Sequence, residues 1–364
     1  MLTELWCEGV RNLAEKSIRP GPGLNLFVGA NGSGKTSLLE SCYVLGLGRS
    51  FRTHRLARVA CSERPHFAVA GEIQDRHYGR SRIAVEWSGE RRSRLNGQWI
   101  NGHWEIVRRF PLMAVHAGSF DLLTGAPEER RRLLDWGGFY VDPAFASEWQ
   151  NWRRAHEQRN AALRQHDAQS AASFEKVAAV AGTRLTGMRE RFAHRLGEFL
   201  RDDATAALRR GLQGEIDIAF RQGWPEGEPL LETYARGRPS DLERGFGQSG
   251  PQKADLDLRV AGRSIREASR GEQKRVLNAL VVSQGLVQAA SGRDGLSPLL
   301  LLDDAVADMD DAGLGGIMEA VAALGWQCLA TTVDLEWAAE VAGNRPGTKM
   351  FHVKHGVVAP APSG

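Results

Sequence analysis

Cysteine is scarce. The four present in 364 residues, Cys7, Cys42, Cys61 and Cys328, are too scattered for a zinc cluster or a disulfide framework. They read as reduced thiols of a cytosolic protein. No run of 18 apolar residues occurs, which argues against a membrane-spanning helix. The opening MLTELWCEGVRNLAEKS lacks the basic-then-apolar order of a signal peptide. A cytoplasmic protein with no membrane partner is therefore expected. No heptad repeat is sustained beyond a few turns and no Cys-x-x-Cys pair is present, so a long coiled coil with a thiol hook is excluded. Lysine is nearly missing, with seven against forty arginines.

What is present fits a globular chain of two or three compact units, with 42% hydrophobic and 25% charged residues. The net charge is only +3, but it is unevenly spread. Between Arg49 and Arg94 there are eleven arginines and five acids, so this stretch carries +6 and the remainder −3. A locally basic lobe suggests a polyanionic partner, and a solvated face weighs equally against it.

The first stretch reads as β-rich. Residues 2–10 and 24–29 predict strands, 67–73 and 82–87 a pair, and Asn96-Gly97 a hairpin turn. Helical periodicity follows from Glu129 to about Arg210, with Trp149, Trp152 and His156 on one stripe. A second stripe holds Leu185, Met188, Phe192, Leu196 and Phe199; both are read as core. Two long antiparallel helices are expected there. Residues 223–252 are rich in Gly and Pro and mark a return. A short strand pair near 255–263, a helix near 271–290, the buried strand Leu299–Leu302, a helix near 312–324 and a strand at 327–331 complete the reading. The fold class is α/β, divided as 1–137, an inserted helical arm at 138–245, and 246–364.

Three motifs carry chemistry. Gly29-Ala30-Asn31-Gly32-Ser33-Gly34-Lys35-Thr36 is a complete phosphate-binding loop, with a strand before it and a helix from Ser37 after it. Its glycines allow N–H groups to face phosphate, Lys35 reaches the outer phosphates, and the Thr36 hydroxyl suits Mg²⁺. Asp303 and Asp304 end the apolar strand: Asp303 is placed to hold Mg²⁺, and Asp304 to polarise an attacking water. Ser269-Arg270-Gly271-Glu272 has the S-x-x-E form of a helix cap, and its hydroxyl and N–H groups also suit an anion. ATP and Mg²⁺ are the expected ligands of Gly29 to Ser37 and of Ser269, Arg270 and Gly271.

The order of these motifs around a helical insert resembles the SMC-like branch of ABC ATPases, an ATPase head built from both chain ends. Finer segments are similar to the RecF family. They are Gly46-Leu-Gly-Arg-Ser-Phe-Arg-Thr53, Gly125-Ala-Pro-Glu-Glu-Arg-Arg-Arg-Leu-Leu-Asp135, Ser249-Gly-Pro-Gln-Lys-Ala-Asp255 and Ser269-Arg-Gly-Glu-Gln-Lys274. The last stands where the family has S-R-G-Q-Q-K. Ala307-Asp-Met-Asp310 resembles its D-loop. Two departures stand out: Ala117-Gly-Ser-Phe-Asp121 replaces the family's S-P-E-D, and no switch His follows Ala330-Thr-Thr-Val-Asp334.

The resemblance implies an ATP-driven homodimer in which each Ser269 meets the other subunit's nucleotide. It implies a clamp on double-stranded DNA near single-strand gaps, slow ATP hydrolysis, no nuclease activity, and work with RecR, RecO being a second candidate partner. It places the protein on the nucleoid, in recombinational repair, replication restart and the SOS response. Alternatives are a transporter-type ABC subunit, an SMC-like subunit outside repair and a small-molecule kinase; the last leaves Ser269 unexplained. DNA is expected on the arginine-rich lobe, with Arg80, Arg91 and Arg92 as contacts and with Arg49 and Arg52 as candidates for nucleotide or core contacts instead.

Overall fold

The computed structural model describes residues 1–75, 78–291, 297–304 and 311–361. The first strand, β1 (Leu2–Glu8), pairs with β2 (Ser17–Ile18); β3 (Leu24–Val28) then leads into α1 (Lys35–Leu47). Strands β4 (Phe67–Asp75), β5 (Gly79–Trp87), β6 (Arg91–Leu95) and β7 (Gln98–Ile100) complete an antiparallel sheet in the order β2-β1-β4-β5-β6-β7. The expected pairing and hairpin are as read. Then come α2 (Trp104–Arg109), β8 (Leu112–Val115), α3 (Asp121–Thr124), α4 (Pro127–Val141), α5 (Phe145–Arg164), α6 (Ala168–Arg201) and α7 (Ala206–Arg209). The chain returns through β9 (Ile216–Arg221), α8 (Leu230–Arg244), β10 (Asp255–Val260), β11 (Arg263–Ser264) and α9 (Arg270–Ala290). It ends with β12 (Leu299–Leu302), α10 (Asp311–Leu324), β13 (Gln327–Thr332), α11 (Leu335–Asn344), β14 (Lys349–Lys354) and β15 (Val357–Pro360).

A second six-stranded sheet has the order β15-β14-β3-β13-β12-β8. The five strands from β14 to β8 run parallel, and β15 pairs antiparallel at the edge. Strand β3, from the first tenth of the chain, lies between β13 and β14 from the last fifth, so this sheet exists only when both ends come together. Its apolar strands are buried on both faces, as parallel strands covered on each side must be. On β12, Leu299 and Leu301 enter the core shared with α1 and the antiparallel sheet. Leu300 and Leu302 enter a second core with α9, α10 and α6. Each buried Leu is worth about 1.5–3 kcal/mol relative to exposure, so β12 is an anchored base for the acids that follow it.

In the arm, α5 and α6 are joined by the turn 165–167 and pack along one another. Their ion pairs run Glu148–Arg184 (3.0 Å) and Arg159–Glu175 (3.1 Å), the register of an antiparallel hairpin. Arg159 is fully buried and also meets Asp241 of α8 at 2.8 Å. The buried charge is acceptable because carboxylates answer it from two helices. The expected boundary at 137/138 falls inside α4, which runs on to Val141. Nor is the arm a detached unit. The second half of α6 places Phe192, Leu196 and Leu200 in the core of the head. Strand β9 was not expected from the sequence; it pairs antiparallel with β10.

Candidate nucleotide site

The phosphate loop is held from three sides. Beneath it, β3 is buried throughout, and the Gly29 N–H donates to Thr332 O of β13 at 3.3 Å. On one flank the Asn12 side-chain amide donates to Gly32 O at 3.0 Å, and Asn12 Oδ1 accepts from the Ser37 hydroxyl at 3.2 Å. On the other, the Gly356 N–H of the β14–β15 turn donates to Ser33 O at 2.7 Å. A Cβ on Gly29 would lie 2.2 Å from Val353 O, so only glycine fits there. Gly34 caps α1 at φ 115°, a left-handed conformation that favours glycine, and no side chain bonds the helix end.

That end has the features of a phosphate seat. Open N–H groups at a helix N-terminus attract anions through both hydrogen bonding and the helix dipole. Ser33 Oγ is buried with no partner among the described residues. The ammonium group of Lys35 folds back over the loop, donating to Gly29 O at 2.8 Å and Ala30 O at 3.1 Å. Burial lowers its pKa, and the nearby Asp304 and Asp303 carboxylates oppose that shift.

The acids arrive from β12. The Asp303 N–H donates to Val115 O of β8 at 2.9 Å, and Asp303 Oδ1 accepts from the hydroxyls of Thr36 (3.0 Å) and Thr331 (2.9 Å). Burial raises the Asp303 pKa, and these two hydroxyls counteract it. The Thr36 and Asp303 oxygens form a hard pair that suits Mg²⁺, which commonly takes one or two protein oxygens and completes its shell with phosphate and water. Asp304 turns into the left-handed region (φ 51°), where its N–H donates to Thr331 Oγ1 at 2.9 Å. It lines the cleft, which is about 630 Å³ and bounded also by Arg11, Asn12, Lys35, Thr36 and Arg52.

The signature residues lie elsewhere. Ser269, Arg270 and Gly271 are not in the lining of this cleft. Ser269 caps α9: its Oγ accepts from the Glu272 N–H at 3.3 Å, and Glu272 Oε2 accepts from the Ser269 N–H at 2.8 Å. The sequence stretch Ala117–Phe120, where the family's S-P-E-D is replaced, forms a short 3₁₀ turn after β8. His116 caps that turn and stacks on Phe51 at 4.6 Å, while Phe120 lies under the Arg270 guanidinium at 5.1 Å. Burial lowers the His116 pKa to about 4, keeping the ring neutral. The expected D-loop, Ala307–Asp310, lies outside the described residues.

Sequence reasoning missed Thr331, which links both acids, and Arg11, which meets Glu40 of α1 at 2.9 Å, as Arg52 does at 3.4 Å. It also missed the turn at Gly356. The one available signal was a polar Thr-Thr pair ending an apolar strand beside β12.

A loop preceding α1, two acids ending the neighbouring apolar strand β12, and a head assembled from both chain ends define an ATPase head of the ABC/SMC type. A family model described as the RecF/RecN/SMC N terminal domain matches residues 1–358. The chain is 36% identical over 370 residues to a DNA replication and repair protein RecF of Stutzerimonas stutzeri, covering 100% of this chain and 99% of that one. It is 37% identical to the RecF of Chromohalobacter salexigens, covering 96% of each. The chain belongs to the RecF family. Among solved structures, the recombination mediator protein RecF with ATP, of the RecFOR pathway, aligns with a TM-score of 0.87 at 21% identity over 99% of this chain and 97% of that one. An SMC head bound to the C-winged helix domain of ScpA aligns with a TM-score of 0.56 at 17% identity, over 99% and 96%. At those identities the likeness is one of fold.

Proposed function

We propose that this protein is an ATP-dependent DNA-binding clamp of recombinational repair and replication restart, in which ATP joins two heads face to face. The carrying observation is that the cleft lined by the phosphate loop and Asp304 has none of Ser269, Arg270 and Gly271 in its lining. Ser269, Arg270 and Gly271 of a second copy complete it from outside. Gly29 to Ser37 bind the phosphates, with Lys35 on the outer ones. Thr36 and Asp303 hold Mg²⁺, which neutralises phosphate charge when bound. Asp304 orients the attacking water. Its side chain is one methylene shorter than Glu, so orientation is imperfect and hydrolysis slow, acting as a release timer rather than a motor. RecF relatives carry a DNA repair and replication name, and an ATP-bound RecF is assigned to the RecFOR pathway. The same setting here makes double-stranded DNA beside single-strand gaps the ligand, RecR and RecO the partners, and recombinase loading the outcome.

Light scattering of the purified protein tests this reading. A monomer that becomes a dimer with ATP and Mg²⁺, and not with ADP, is expected. A dimer indifferent to nucleotide would overturn it.

A further inference from the structure

The basic stretch predicted from charge divides in two. The arginines of the antiparallel sheet have carboxylate partners: Arg80 and Arg82 share Glu72 at 2.5 and 3.8 Å, Arg92 meets Glu90 at 2.5 Å, and Arg94 meets Glu86 at 3.3 Å. Arg64 pairs with Glu15 at 2.5 Å, and Arg91 donates to Gly48 O at 2.8 Å. The expected contacts Arg80, Arg91 and Arg92 are therefore all engaged within the chain.

The loop after α1 is different. Arg49, Arg55 and Arg58 are exposed and have no side-chain partner among the described residues. Residues Leu56–Val59 form a 3₁₀ turn preceded by Arg55. Positions three apart eclipse in such a turn. Leu56 and Val59 therefore share the inner edge, where Val59 is fully buried, and Arg55 and Arg58 share an outer one.

The loop is also tied to its surroundings. Ser50 Oγ donates to buried Glu40 of α1 and accepts from the N–H groups of Arg52 (2.9 Å) and Thr53 (3.1 Å). Thr53 Oγ1 accepts from the Arg55 N–H at 3.1 Å. Phe51 is wedged between Tyr43 and His116. Beyond the turn, Ala60, Cys61 and Ser62 line the nucleotide cleft, as does Arg52.

We propose that the backbone of duplex DNA docks on the loop 48–59, through Arg49, Arg55 and Arg58, and not on the arginines of the sheet. This rests on the DNA-binding reading above. Unpaired arginines on an ordered loop contact phosphate with no partner to surrender and little ordering cost. Because the same loop runs from the phosphate-loop helix to the cleft wall, duplex bound there is coupled to the nucleotide. By linkage, duplex then tightens ATP binding as much as ATP tightens duplex binding.

The test compares the full chain with two triple variants, Arg49→Gln/Arg55→Gln/Arg58→Gln and Arg80→Gln/Arg82→Gln/Arg92→Gln. Each is titrated with a short mixed-sequence duplex in ATP and Mg²⁺ across a salt series. Removing one arginine from a phosphate lowers the log–log salt slope by about 1. The loop variant is expected to lower the slope by about 3 for each subunit whose loop meets the duplex, one for each arginine replaced, and to abolish the duplex-induced gain in ATP affinity. Its ATP affinity without DNA should stay unchanged, which also shows that it is folded. The sheet variant should keep the parent's slope. A loop variant with the parent's slope, or a sheet variant whose slope falls as far, overturns the assignment. If the parent itself binds no duplex in ATP, the DNA-binding reading fails and the assignment with it.

Discussion

Two helix starts in this molecule are built to meet an anion, and they differ in what already occupies them. At α1 the cap is a glycine, no side chain bonds the helix end, and Ser33 Oγ stands buried without a partner among the described residues. At α9 the chain supplies its own anion: the Glu272 carboxylate sits on the Ser269 N–H, its pKa lowered first by that bond, and pairs with Arg263 at 3.3 Å. The open end belongs to the cleft and can take phosphate from the same chain. The closed end does not line the cleft, and a phosphate arriving there must compete with Glu272. The first end therefore suits binding, and the second suits sensing that a partner's nucleotide has come.

Four substitutions break or sharpen this contrast. Asp304→Asn touches neither helix end but removes the group placed to activate water. A general base is worth about 10²–10⁴ in rate, so turnover should fall by that order while the ATP-bound dimer persists, read by phosphate release and light scattering together. Lys35→Met strips the open end of its cation. Two charge-assisted bonds of about 1.5–3 kcal/mol each make the expected loss of ATP affinity at least about a hundredfold, measurable with a fluorescent nucleotide. Ser269→Arg fills the closed end. ATP affinity of the monomer should hold within about twofold, while dimerisation weakens by at least about tenfold, since each tenfold is only about 1.4 kcal/mol. Glu272→Gln keeps the cap geometry and removes its charge. A partly screened surface charge is worth up to about 1 kcal/mol, so ATP-driven dimerisation should tighten by up to about fivefold. Weaker dimerisation in this variant would show that the carboxylate assists the partner's nucleotide instead of competing with it.

The sequence is most legible where function is local. The phosphate loop from Gly29 to Thr36 and the cap at Ser269 are contiguous, so their chemistry can be read in order. Leu299 to Leu302 announce a strand buried on both faces because every position is apolar. The residues that escape are brought in by strand order. Thr331 reaches both acids only because β13 lies beside β12, and Gly356 reaches Ser33 only because β14 lies beside β3. A charge count along the chain gives the +6 of the stretch but not which arginines have partners, because antiparallel register sets Arg82 opposite Glu72 and Arg92 opposite Glu86. Strand β9 is hidden in the sequence because its six residues are a single short run between the helical stretch and the Gly-Pro-rich return, and its partner β10 lies some forty residues further on. Along α6 the helical period is plain, but nothing in it says that the helix passes from arm to head halfway along.

The central claim is that the nucleotide site is completed by a second copy, and mixing two defective variants tests it most directly. Lys35→Met retains a signature end but binds ATP poorly. Ser269→Arg binds ATP but presents no usable signature. Neither should dimerise alone with ATP and Mg²⁺. Mixed, they should form a heterodimer holding one nucleotide, because the intact loop of one faces the intact Ser269 of the other. Light scattering that shows monomers alone and a dimer on mixing is the predicted result. A mixture that stays monomeric at concentrations where the parent dimerises, or a Ser269→Arg protein that dimerises unaided, would contradict the account.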